Sequence, residues 1–136
     1  MTTCKAIIFI YILSYTLNAS SYICSLLDQR IIFAHRSGDT SRFQENTLEA
    51  AIDAAERGYN LEFDLNQLES GEILVYHDTN FLEKVGIDLD VDEATYDMVK
   101  NFTYLKTISN ITYSNTPTIP LLTEYINKVC SINSNI

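Results

Sequence analysis

The sequence predicts an α/β fold with parallel strands, and two observations predict it. Short apolar runs alternate along the chain with stretches of helical period. The first run, Ile31-Ile32-Phe33-Ala34, is continuous, which is the pattern of a strand covered on both faces. The chain has 136 residues, room for one ordinary domain, and at 46% hydrophobic it has a globular rather than a disordered composition. It contains no internal repeat and no low-complexity tract.

The elements follow in order. Residues 35–44 are polar, with Gly38, Asp39 and two serines, and read as a loop. Asn46 followed by Glu49 resembles a capping box, and Leu48, Ala51, Ile52 and Ala55 then recur at helical spacing until Gly58 ends the helix in the left-handed region. Residues 61–65 form the second strand, Glu69-Ser70-Gly71-Glu72 a turn, and residues 73–76 the third strand. Residues 92–101 read as a helix, with Asp92 and Glu93 suiting its first turn and Lys100 its last. Residues 104–118 read as a loop rich in Thr, Ser and Asn. Pro120 opens a final helix over 121–129, where Leu122, Tyr125, Ile126 and Val129 make one stripe.

The N-terminus has the order of a secretory signal over residues 1–21. Lys5 precedes the apolar residues 6–17, and Asn18, Ala19, Ser20 and Ser21 follow, with cleavage near Ser20 or Ser21. The competing reading is a membrane anchor extending to residue 27. Either way the domain occupies residues 28–136, and the location is the secretory pathway: extracellular or lumenal, or held at a membrane. Cleavage would remove Cys4 and leave Cys24 and Cys130, which either bridge in an oxidising compartment or stand as two separate buried thiols. Asn101-Phe102-Thr103 and Asn110-Ile111-Thr112 are glycosylation sequons. A net charge of −9 and a pI near 4.5 argue against a nucleic-acid partner and an anionic lipid surface. A phosphate-bearing small molecule remains open, because one arginine or a bound cation can hold it.

The chemistry gathers around His35-Arg36, Glu62-Phe63-Asp64 and His77-Asp78. Each histidine follows a short apolar run and so sits at a strand's carboxyl end. Glu62 and Asp64, two apart on a strand, share a face. Their hard oxygens favour Mg²⁺ or Ca²⁺ over Zn²⁺. The same alternation also describes a strand with one solvated face, filled opposite by Leu61, Phe63 and Leu65. Taken singly, His35 reads as a core histidine, Arg36 as a surface charge and Glu45 as the acidic flank of a helix. Asp78 either orients His77 or starts a turn. Their joint occurrence at strand ends favours a site.

In this order the residues carry a resemblance: His35-Arg36, Glu45-Asn46-Thr47-Leu48, Gly58, Glu62-x-Asp64, Gly71, Val75-x-His77-Asp78 and Ile119-Pro120-Leu121-Leu122-Thr123-Glu124. Together they resemble the glycerophosphodiester phosphodiesterase family, over roughly residues 31–126. The apolar N-terminus and the sequons are similar to its membrane-associated, glycosylated branch. The resemblance implies a TIM barrel and hydrolysis of glycerophosphodiesters to glycerol 3-phosphate and an alcohol. It implies that Glu62 and Asp64 bind a divalent metal, Mg²⁺ or Ca²⁺. His35 and His77 are implied as general base and general acid, Arg36 as the phosphate contact, and Glu45 as a buttress.

The chain departs from the family pattern at Ser37, where the family has Gly, and at Gln44, where it has Pro. Leu68-Glu69-Ser70-Gly71 replaces a Thr-x-Asp-Gly turn. Glu83 or Lys84 stands where an arginine usually follows His-Asp. A TIM barrel takes about 250 residues and eight strands. The expectation is therefore a partial barrel, the first three β/α units or so, whose catalysis needs further sequence. Two alternatives accompany it. One is a non-catalytic secreted remnant that binds metal, glycerophosphodiester or a partner chain. The other is a sphingomyelinase-type, phospholipase-D-like enzyme, which Glu45-Asn46-Thr47 and Ile119-Pro120 disfavour.

Overall fold

The computed structural model describes residues 32–105, 107–108, 111–112 and 116–132. The signal or anchor segment, Cys4, Cys24 and Asn110 of the second sequon lie outside the described residues. Strand β1 (Phe33–Ala34) pairs in parallel with β2 (Asn60–Leu61), Phe33 opposite Asn60 and Ala34 opposite Leu61. Helix α1 (Leu48–Glu56) joins them as a βαβ unit. Its N-cap is Thr47, whose Oγ1 accepts from the Ala50 amide at 3.3 Å. The expected cap, Asn46, instead takes φ 57° and sends its side chain elsewhere. Gly58 ends the helix as the pattern predicts, at φ 76°, its amide donating to the Ala55 carbonyl at 3.0 Å.

One expectation fails at β1. Ile32 is 64% exposed and Phe33 42%, so the run is not covered on both faces. Among the described residues β1 has a strand on one edge only, and α1 packs beside this unit. A continuous apolar run records what a strand can bury, not what stands next to it.

The segment from Asn60 to Gln67 changes partners midway. Its first part runs beside β1, with the Glu62 amide donating to the Ala34 carbonyl at 3.0 Å and the Ser37 amide to the Glu62 carbonyl at 2.8 Å. Its second part, β3 (Leu65–Gln67), pairs antiparallel with β4 (Ile73–Val75). Between them the Tyr76 amide donates to the Asp64 carbonyl at 3.0 Å. The predicted strand over 61–65 is thus split at residues 62–64, and the expectation of parallel strands is corrected for this pair. The connection after Gln67 is too short for a crossover, which takes about a dozen residues. Gly71, at φ 98°, closes it as a hairpin turn.

Two short helices follow, α2 (Leu82–Val85) and α3 (Tyr96–Val99), with a 3-10 turn at Val91–Glu93 between them. The predicted helix over 92–101 is broken because Ala94 is extended. Its carbonyl accepts the Glu69 amide at 2.9 Å, and the Tyr96 amide goes to Ser70 Oγ, so the hairpin turn takes groups a helix would have used. The expected loop over 104–118 holds a small hairpin, β5 (Thr107–Ile108) with β6 (Ile111–Thr112). Helix α4 (Leu122–Ile132) carries the predicted stripe, with Tyr125 and Val129 buried against α1. Each such side chain contributes about 1.5–3 kcal/mol by leaving water.

β4 is the wall between two apolar cores. Leu74 and Tyr76 enter one with Phe81, Val91 and Tyr104; Val75 enters the other with Ala51, Ala54, Leu61 and Tyr125. His77 follows just past β4, with its side chain 40% exposed. Among the described residues no helix is long and apolar enough to cross a membrane.

Candidate active site

The site forms where the Asn60–Gln67 segment passes from β1 to β4, and Arg36 is its hub. After β1 the chain turns sharply: Arg36 and Ser37 have φ 47° and 73°, a region that costs an ordinary residue about 1–3 kcal/mol. Three hydrogen bonds tie the turn to other segments. The Arg36 amide donates to Glu62 Oε2 at 2.8 Å, the Ser37 amide to the Glu62 carbonyl, and the Asn46 amide to the Arg36 carbonyl at 2.8 Å. Ser37 is itself buried, its hydroxyl 2.6 Å from that of Tyr125. Burial pushes the Tyr125 hydroxyl well above its ordinary range, so it stays protonated beside Ser37. The departure from Gly is thus accommodated by a side-chain bond to α4.

The guanidinium of Arg36 collects the other predicted residues. Nη1 donates to both Glu45 oxygens, at 3.1 and 3.0 Å, and Nε lies 3.7 Å from Asp64 Oδ2. Nη2 stands 2.7 Å from His77 Nε2. Arginine has no acceptor, so Nε2 must offer its lone pair and the ring proton sits on Nδ1. That proton donates to Asp78 Oδ1 at 2.6 Å. Asp78 therefore orients His77, one of the two roles its position allowed. Burial opposes ionisation of Asp78, but hydrogen bonds from His77 and Lys84 outweigh it and hold the carboxyl below its ordinary range. Glu45 behaves alike: burial raises it, Lys84 and Arg36 lower it further, and it stays ionised.

Glu62 and Asp64 both reach Arg36, while Phe63 between them packs on Tyr125 with ring centroids 4.8 Å apart and planes tilted by 47°. Both acids thus meet one residue although they lie outside the ladder, whereas Leu65, expected with Leu61 and Phe63 on the filled opposite face, is 40% exposed. His35 is different. Its side chain is 78% exposed and its nearest charged partner is Glu62, 4.0 Å away.

Two further residues build the site. Asn46 clamps Asp64, donating from Nδ2 to Oδ2 at 2.9 Å and accepting the Asp64 amide on Oδ1 at 3.3 Å. Lys84 of α2 bonds both Glu45 and Asp78. Asn46 could have been found by weighing Thr47 as the better-placed cap, and Lys84 by its place where the family pattern carries an arginine after His-Asp. Glu62 and Asp64 fit a hard divalent cation by donor type, but among the described residues no three His, Cys, Asp or Glu side chains gather as a metal site.

The pattern of the glycerophosphoryl diester phosphodiesterase family matches residues 35–136. No curated protein matches the chain. Among solved structures it is similar to the glycerophosphoryl diester phosphodiesterase domain of an uncharacterized Mycobacterium tuberculosis protein, at 20% identity and TM-score 0.63, over 72% of this chain and 39% of that one. It is also similar to an Oleispira antarctica phosphodiesterase in complex with the product sn-glycerol-3-phosphate, at 19% identity and TM-score 0.63, over 79% of this chain and 43% of that one. A Thermotoga maritima glycerophosphodiester phosphodiesterase gives 24% identity and TM-score 0.54, over 74% and 39%. At these identities the likeness is one of fold. The chain spans about two fifths of the length of these solved relatives.

Proposed function

Because this chain belongs to the glycerophosphoryl diester phosphodiesterase family, whose fold is a TIM-barrel-like α/β one, we propose that its protein hydrolyses glycerophosphodiesters to glycerol 3-phosphate and an alcohol. The observation that carries this reading is the convergence of His77, Glu45, Asp64 and Glu62 on Arg36. One Nη1 hydrogen of Arg36 is shared between the two Glu45 oxygens and one Nη2 hydrogen goes to His77, which leaves the other Nη2 hydrogen for a phosphate oxygen. Glu45 keeps the guanidinium from turning. His77, with its proton on Nδ1, takes or returns a proton at Nε2 once the Arg36 Nη2 hydrogen passes from Nε2 to the phosphate, and Asp78 stabilises the imidazolium that forms. His35 is the second proton-transfer group, free to meet substrate from the exposed side.

Glu62 and Asp64 would hold Mg²⁺ or Ca²⁺, with phosphate oxygens and water completing the shell. Such an ion, when bound, polarises the phosphodiester and neutralises its charge. Cys130 is disulfide-bonded, which supports a secretory location, as does the exposed sequon residue Asn101. Membrane association through the N-terminal segment belongs to the same proposal.

A second reading is binding without turnover, in which the cluster around Arg36 holds a glycerophosphodiester or a metal but transfers no proton. Release of glycerol 3-phosphate from glycerophosphocholine or glycerophosphoinositol with added Mg²⁺ or Ca²⁺ separates the two. Turnover that disappears in Glu62→Ala supports hydrolysis. Metal binding with no turnover by the wild-type protein supports the second reading instead.

A further inference from the structure

Lys84 is a cation that the reaction proposed above does not use, yet its surroundings are those of a working part. Its side chain is 11% exposed, although it rises from a helix of only four residues. A buried ammonium is costly unless paired, and this one is paired twice. Nζ bonds Glu45 Oε1 and lies 3.1 and 3.0 Å from the two Asp78 oxygens. The Tyr76 ring stands 5.9 Å away.

These two carboxylates are the ones that fix the imidazole of His77. Asp78 accepts its Nδ1 proton. Glu45 holds Nη1 of the guanidinium whose Nη2 donates to Nε2. Both hydrogen bonds that select the ring's tautomer therefore trace back to a single ammonium. Without it, two carboxylates that shared a cation would repel each other across the same space. Asp78 would then be free to leave Nδ1, and Glu45 to draw Arg36 away from Nε2.

We propose that Lys84 is a positioning residue that, through Asp78 and Glu45 together, holds His77 in the Nδ1–H tautomer with its Nε2 lone pair toward Arg36. The inference rests on the reading that His77 handles the proton of the phosphodiester reaction, and it deepens that reading.

The whole chain has two histidines, so its imidazole ¹⁵N–¹H spectrum is simple to assign. At mildly alkaline pH and without substrate, wild-type His77 is expected in the Nδ1–H form. In Lys84→Met it moves to the Nε2–H form that dominates free imidazole side chains, and in Lys84→Arg, which keeps a cation there, the Nδ1–H form returns. An unchanged His77 signal in Lys84→Met overturns the proposal, as does a wild-type His77 in the Nε2–H form. If Lys84→Met does not fold, Lys84→Gln, neutral but polar, carries the same comparison with the same two outcomes. In turnover, Lys84→Met lowers kcat by about 10–100-fold with KM changed less than about threefold, and an unchanged kcat also overturns it. The spectrum needs no catalysis, so a protein without turnover would sink the reaction and leave the tautomer result to decide this inference.

Discussion

His77 and His35 flank the same arginine in opposite surroundings. His77 is bonded on both ring nitrogens, by Asp78 and Arg36, and those two are tied in turn to Lys84 and Glu45. His35 follows Arg36's own strand, stands 78% exposed and has one carboxylate 4.0 Å away. One half of the site is pre-organised, with its tautomer and orientation set by neighbours. The other half is only placed by the backbone. Pre-organisation belongs to the group whose proton position must be defined before substrate arrives; a group that only meets substrate needs a position and room.

The comparison breaks first, and by the largest effect, in turnover. His77→Ala should lower kcat of the whole protein by about 10²–10⁴-fold, the usual worth of a positioned acid or base. Stability separates the halves next. Lys84→Met should destabilise the protein by about 2–3 kcal/mol in urea unfolding, short of a fully buried pair because Glu45 and Asp78 keep some solvent. Asn46→Ala should cost about 1–2 kcal/mol, since it removes both bonds to Asp64 while keeping a side chain at φ 57°. Acid should weaken the His77 half through Glu45 and Asp78. Glu45 and Asp78 have folded values below their ordinary 4.5 and 3.8, so the unfolded chain binds more protons. Their contribution is fully present above those ordinary values and is lost as pH falls through the lowered ones. Urea midpoints taken down through this range should fall, and fall less in Lys84→Met. The smallest effect is His35→Ala, within about 0.5 kcal/mol of wild type. A cost near that of Lys84→Met would erase the distinction between the two halves.

What the sequence showed and hid follows from the range of each interaction. Helices α1 and α4 were legible because one periodic face of each is buried, and Gly58 and Gly71 because each occupies the left-handed region a turn needs. The antiparallel β3–β4 pair was also within reach, since the few residues after Gln67 cannot contain a crossover. The break at Ala94 was not, because it depends on a carbonyl claimed by a hairpin distant in sequence. In the site, Arg36, Glu45, Glu62, Asp64, His77 and Asp78 come together as the motif order implied. Asn46 was concealed because Asn46-x-x-Glu49 fits a capping box as well as it fits a clamp on Asp64. Lys84 stands near the family's arginine position, but its direction was concealed because a long side chain on a four-residue helix has no periodicity to betray it.

The central claim is that phosphodiester chemistry is organised around Arg36. It is tested most directly by measuring glycerol 3-phosphate released from glycerophosphocholine by the wild-type protein and by Arg36→Ala, side by side, with Mg²⁺ or Ca²⁺ present. The account predicts release by the wild type and a loss of at least about 100-fold in the variant, because the phosphate contact and the partner of His77 Nε2 go together. Equal rates from the two proteins would contradict it.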